Sequence, residues 1–300
     1  MPWFLLILPL MSPEQYCQDK TASSGSSFYY SFLFLPPDIR RAITALYAFC
    51  REVDDIVDEV REAAVAQQKL DWWRHELDQT FDERAQHPVG LELQRLVSPF
   101  GLTKCYFDDI IDGMQMDLLQ TRYANIEALE TYCYRSASAV GLIAARLFGY
   151  HDKSTEQYAH DLGMAFQFTN IIRDVREDSG RNRIYIPQDL LARHDVAEAS
   201  LVTGEFSDGL HTVLLELADH AEAYYESSIS KLPESDRWNQ RSGLAMSSIY
   251  RTLLTRIRKH DFNVMNDRVS IPNLSKLWIA WKTIRYENRR HRQYLKQHVA

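Results

Sequence analysis

The chain has little cysteine, glycine or proline for its length. Its four cysteines, Cys17, Cys50, Cys105 and Cys133, lie far apart, with no CxxC pair and no Cys/His spacing suited to zinc. Neither a disulfide framework nor a structural zinc site is signalled, and a reducing cytoplasm fits. With 11 glycines and 10 prolines in 300 residues there is too little punctuation for a many-stranded β fold and too little turn chemistry for disorder. No run approaches the roughly 18 apolar residues of a transmembrane helix, and no repeat recurs at the periods of solenoids. Excess positive charge is missing too: 34 basic against 41 acidic residues give a net charge of −7, which argues against nucleic acid as a partner.

What is present is helical periodicity. After Pro36-Pro37-Asp38, the residues Ile39, Ile43, Leu46, Tyr47, Phe49, Cys50, Val53, Ile56 and Val57 recur at three- and four-residue steps, predicting a helix to about Val60. Similar patterns predict helices near 62–83, 88–98, 103–122, 126–149, 153–178, 208–231, 236–260 and 272–297, and strand-like alternation is essentially absent. The expected fold is an all-α bundle forming one domain over residues 12–300. Residues 1–11 read as an apolar leader or an over-called start, because Ser12-Pro13-Glu14 has the look of a fresh helix cap.

Two acidic ladders interrupt these apolar patterns. In Arg51-Glu52-Val53-Asp54-Asp55-Ile56-Val57-Asp58, Asp54 and Asp58 share one helix face with Arg51 a turn earlier. In the segment from Gln167 to Asp178, Asn170, Asp174 and Asp178 stand at i, i+4 and i+8, with Arg173 among them and Arg181 and Arg183 just beyond. Like charges at this spacing are costly inside a bundle unless a cation neutralises them. A solvated acidic face is the alternative for either ladder alone; two of them can face each other across a bundle interior. Oxygen ligands beside guanidinium forks suit a magnesium-bridged diphosphate. No P-loop and no GxGxxG turn offers another phosphate site.

Two further segments complete the pattern. The hydroxyl-rich stretch containing Ser24 and Ser27 leads into Phe28 and Phe32 on one helical face, where either phosphate contact or an N-cap over core aromatics is open. Gly141 in the small-residue run 136–141 costs its helix about 1 kcal/mol relative to alanine, so it has a packing or a substrate reason.

Together these segments resemble the squalene and phytoene synthase family, the all-α head-to-head prenyltransferases. The likeness covers about residues 15 to 285 and rests on RxxDDxxD at 51–58 and QxxNIxRDxxED at 167–178, supported by SFYYSFLFLP, YAFCREVDD, YCYRSASAVG and NRIYIPQD. It implies an isoprenoid synthase bundle with a central cavity, in which Asp54, Asp58, Asn170, Asp174 and Asp178 bind Mg²⁺, with Mn²⁺ as an alternative. It also implies diphosphate contacts from Tyr47, Arg51, Arg173, Arg183, Tyr250 and Arg268, substrate lining from Ser24, Ser27, Phe28, Phe32, Gly141, Gln167 and Tyr185, and proton handling by Tyr132. Many relatives carry a basic residue at the position of Ser26; Lys20 or Arg268 is expected to compensate.

Within the family, residues 24–59 look most like bacterial presqualene diphosphate synthases of hopanoid pathways. The implied reaction is condensation of two farnesyl diphosphates to presqualene diphosphate, without NADPH and with hand-over to a squalene-forming enzyme. The alternatives are a phytoene or dehydrosqualene synthase that completes the rearrangement and, from another class, a non-catalytic assembly factor with the same fold. A class I terpene cyclase also uses two acidic motifs, but the arginines and the Tyr132 segment fit it less well. The basic stretch Lys282 to Lys296 is expected either to stay solvated or to touch anionic lipid at the inner face of the cytoplasmic membrane.

Overall fold

A computed structural model describes residues 11–23, 31–60 and 62–298. The segment expected as a leader or over-called start therefore lies, up to Leu10, outside the described residues, as do Ser24, Ser27 and Phe28. The described chain forms α1 (Pro13–Ser23), α2 (Pro37–Glu59), α3 (Ala63–Phe81), α4 (Pro88–Phe100) and α5 (Lys104–Leu119). Then α6 (Ile126–Cys133) passes through a single π-helical turn (Tyr134–Ser138) into α7 (Ala139–Phe148). The second half contains α8 (Ser154–Gly180), the short α9 (Gln188–Arg193) and α10 (Glu198–Thr203), and the long α11 (Asp208–Lys231), α12 (Arg241–Lys259) and α13 (Asn273–His298). It is a single all-α bundle, as the periodicity predicts. No helix among the described residues is long and apolar enough to cross a membrane.

Local chemistry sets the helix starts. Ser12 Oγ accepts from the Gln15 amide at 3.1 Å, Asn125 caps the Ala128 amide at 3.0 Å and Ser207 caps that of Leu210 at 3.1 Å. Pro37 and Pro88 occupy first-turn positions, where a missing N–H costs nothing. One expected start is late: the helix predicted from 236 begins at Arg241, because Asp236 turns inward to accept from the amides of His151 and Asp152 and the Thr155 hydroxyl.

The apolar core divides into two clusters. One gathers α1 to α5 and α7 around Phe49, Trp73 and Phe107, which meet edge to face; the other gathers α8, α11 and α12 around Phe168, Tyr225 and Ile249. Between them lies a cavity of about 650 Å³ whose walls come from both clusters, Leu46 and Ile43 on one side, Leu162 and Ile249 on the other. The crossing of α7 with α8 is backbone on backbone. A Cβ on Gly141 would stand 2.8 Å from the Ala159 carbonyl oxygen, and one on Gly163 would stand 2.5 Å from Ser138 Cα. Packing is thus a sufficient reason for Gly141, which also borders the cavity.

Candidate active site

The cavity collects the residues that the sequence singles out. Its lining includes Phe32, Tyr47, Arg51, Asp54, Asp58, Tyr132 and Gly141 from the first half, and Gln167, Asn170, Arg173, Asp174, Asp178, Arg183, Tyr185, Tyr250 and Arg268 from the second. The two ladders face the same space. Lys20 does not line it; its ammonium is held by Glu52 at 3.1 Å and Asp55 at 2.9 Å, so of the two cations expected to compensate for Ser26, Arg268 alone is at the cavity.

Backbone geometry explains the arrangement. The α2 stripe Ala42, Leu46, Phe49, Val53 and Val57 is buried, so the neighbouring stripe carrying Arg51, Asp54 and Asp58 looks along the cavity wall. After α8, Asn182 adopts a left-handed turn, with φ of 61°, and Ile184 makes an isolated bridge to Arg122. Extended backbone alternates its side chains, so Arg183 and Tyr185 both reach the cavity.

Charge around the cavity is balanced. Asp54, Asp58, Asp117, Asp174, Glu177 and Asp178 face Arg51, Arg173, Arg181, Arg183, Arg268 and Lys276, six acids against six cations. Arg51 bridges Asp54, at 2.5 Å, and Asp55; Arg173 forks onto Asp174, which Arg268 also reaches at 3.0 Å. Asp58 takes Arg183 at 2.8 Å and Arg181 at 3.2 Å. Two oxygen sources stay short of partners. Asn170 Oδ1 is buried without a hydrogen bond, and the Asp178 carboxylate meets no donor or cation within bonding distance among the described residues. Burial, reinforced by Asp174 and Glu177, pushes Asp178 up to about 7, and burial with Asp58 and Asp55 nearby pushes Asp54 up to about 6 despite Arg51.

Among the described residues, no three acidic, histidine or cysteine side chains form a ready-made metal cluster. The donor set nevertheless suits a hard divalent ion: an orphaned amide oxygen and an under-neutralised carboxylate lie one helical turn on either side of Asp174, opposite a second carboxylate pair.

Deeper in, the walls are aromatic and apolar. Phe32 meets Tyr47 edge to face at 6.4 Å and Phe166 lies 4.6 Å from Tyr250. Tyr132 and Tyr185 stack at 4.9 Å and both donate to Asp117, at 3.1 and 2.7 Å. Burial pushes the Tyr132 hydroxyl well above its ordinary value and pushes Asp117 up to about 6 in spite of those donors. Asp117 went unnoticed in the sequence. Its signal was a carboxylate placed one turn beyond the inward stripe Phe107, Ile110 and Met114 of α5.

Known proteins share this architecture. The squalene/phytoene synthase family profile matches residues 21–275. Phytoene synthase 2 of Solanum lycopersicum is 32% identical over 270 residues, covering 87% of this chain and 86% of its own; 15-cis-phytoene synthase of Synechocystis is 32% identical over 309, covering 93% and 91%. Among solved structures, a dehydrosqualene synthase superposes with a TM-score of 0.82 at 27% identity, covering 92% of this chain and 97% of that one. Squalene synthase HpnC of Alicyclobacillus acidocaldarius does so with 0.75 at 25%, covering 84% and 95%. With its two facing ladders, its cavity and a family match over most of its length, the chain belongs to the squalene/phytoene synthase family of head-to-head prenyl-condensing enzymes.

Proposed function

We propose that the chain is a phytoene or dehydrosqualene synthase: it joins two prenyl diphosphates head to head and carries the cyclopropyl intermediate through to a polyene without a reductant. The observation that carries the condensation is the pair of ladders facing one aromatic-walled cavity. The names of relatives that align over most of this chain weigh toward completing the rearrangement rather than stopping at presqualene diphosphate, the product that residues 24–59 suggested.

Asp54, Asp58, Asn170, Asp174 and Asp178 would hold Mg²⁺, which supplies charge stabilisation for the departing diphosphate. The arginines do the rest of the anion binding. Arg51, Arg173, Arg183 and Arg268 lie on carboxylates in this structure; with those carboxylates holding a divalent ion, their guanidinium forks would be free to bind phosphate oxygens. Phe32, Tyr47, Phe166 and Tyr250 exclude water, which would quench an allylic cation, and their ring faces favour positive charge. Tyr132, fixed through Asp117 against Tyr185, places a protonated hydroxyl at the wall, where a proton lost on ring closure has an acceptor network.

Incubating the purified chain with Mg²⁺ and either farnesyl or geranylgeranyl diphosphate, without NADPH, tests the reading by mass spectrometry of the products. Dehydrosqualene or phytoene is the expected outcome. Accumulating presqualene diphosphate would return the earlier product to first place, and prenyl alcohol alone would defeat condensation altogether.

A further inference from the structure

Helix α13 has two unlike faces. Its inner face is tied to the bundle: Ala280 is buried, Thr283 bonds the Ser248 hydroxyl at 3.0 Å, and His291 stacks on Trp238 at 5.2 Å. Glu287, the helix's only acid, is also turned inward, 3% exposed and gripped by both ends of the Arg237 guanidinium at 2.7 and 3.1 Å. Nothing negative remains outside.

The outer face begins with Leu274, Trp278 and Trp281, exposed by 82%, 57% and 45%. It continues on the same stripe with Lys282, Arg285, Arg289 and Arg292, all exposed. Two of the cations lie over the indoles, Lys282 5.1 Å from the Trp278 ring centre and Arg285 5.2 Å from that of Trp281. None of the four meets a carboxylate among the described residues. The concentration is local: α13 has seven Lys/Arg and one Glu, while the chain as a whole carries −7.

We propose that this face seats the protein on the anionic surface of a lipid bilayer, with the indoles and Leu274 at the level of the headgroups and the cations on lipid phosphates. The occupant follows from chemistry. A second copy would bring four cations against four, with no acid to relieve them. A nucleic acid could use the cations but would leave Leu274 in water. A headgroup layer takes both halves of the stripe. Its position is suitable as well, since Ser270 and Ile271, just before α13, and Lys276 in its first turn, two residues from Trp278, line the cavity. The docking does not depend on which prenyl diphosphate the cavity accepts.

The test is co-sedimentation of the whole chain with sucrose-loaded vesicles, either pure phosphatidylcholine or phosphatidylcholine mixed with phosphatidylglycerol. Binding is expected to the mixed vesicles at low salt and to fade at high salt. The triple variant R285Q/R289Q/R292Q should bind about 100-fold more weakly, at about 1 kcal/mol for each cation near such a surface. W278S/W281S should bind at least about tenfold more weakly while keeping the salt dependence. These positions are exposed, so both variants should keep the wild-type melting temperature. Failure of the wild-type chain to sediment with mixed vesicles at low salt would overturn the proposal. So would equal binding to both vesicle types, or light scattering that shows a dimer abolished by W278S/W281S.

Discussion

The chain contains the same acidic pentapeptide pattern twice, Asp54-Asp55-Ile56-Val57-Asp58 in α2 and Asp108-Asp109-Ile110-Ile111-Asp112 in α5, and the two copies have opposite fates. In α2 the outer aspartates of the pattern line the cavity, and burial pushes Asp54 up to about 6. In α5 it is Ile110, with Met114 and Asp117, that turns inward. The acids of the second copy serve as surface fasteners: Asp108 holds Lys104 at 3.0 Å, Asp109 accepts from Tyr134 at 3.0 Å, and Asp112 takes Arg74 at 2.6 Å. A motif string therefore names residue types. The helix face it falls on decides whether they see a ligand or water.

Equivalent substitutions in the two copies should separate sharply. Asp54→Asn is expected to lower Mg²⁺-dependent turnover by about 10³-fold, the scale of losing an aligned electrostatic stabiliser, whereas Asp108→Asn should leave turnover within about twofold. Steady-state product formation, with circular dichroism to confirm the fold, checks both. Comparable losses at the two positions would mean that the cavity face is not what distinguishes them.

A smaller effect concerns pH. Because Asp54 titrates near 6 when folded and near its ordinary, lower value when unfolded, the metal-free folded chain retains a proton that the unfolded chain releases between about pH 4 and 6. Stability should therefore fall as pH rises through that window, with Asp54 contributing on the order of 1 kcal/mol after allowing for partial exposure, and Asp54→Asn should shrink the slope, the remainder coming from Asp117 and Asp178, which burial also pushes up. Asp161 provides the opposite sign. Burial pushes it up, but bonds from His160, Lys231 and Ser227 outweigh this and hold it at about 2. Its contribution is present above about pH 4 and disappears as pH falls toward 2. Chemical denaturation across pH in the presence of a chelator reads both slopes.

The smallest expected change is at Asp112. Removing a half-exposed surface bridge by Asp112→Ala should cost under about 1 kcal/mol, measured as a shift in urea midpoint. A loss of several kcal/mol would show that the second copy is more than a fastener.

Much of this architecture could be read from the sequence because apolar spacing is a property of the helix itself. The ends of α2, α8, α11 and α13 fall within about two residues of where Pro37, the Asn170 stripe, Leu232-Pro233 and Ile271-Pro272 place them. The ladders were legible as a pair because the second supports the first. The π turn at Tyr134–Ser138 was not, since no proline or glycine marks it; it sits where α5 crosses closely, with Gly113 directly beneath Arg135 and Ser136. Asp117 was missed for a related reason: its role comes from Tyr132 and Tyr185, 15 and 68 residues away in sequence. The pairing of Asp58 with Arg181 and Arg183 likewise depends on contacts between α2 and the turn after α8.

The glycine contact between α7 and α8 has one more implication. Where two helices touch through main-chain atoms, their separation is set by covalent dimensions and not by the rotamers of intervening side chains. Gly163 lies two turns before Asn170, and Gly141 lies nine residues after Tyr132 on the continuous α6–α7 rod. The acidic stripe and the tyrosine cluster are thus measured from a common datum with almost no tolerance. A substrate of different length has to find its room along the apolar end of the cavity, because the spacing between these two groups cannot stretch to meet it.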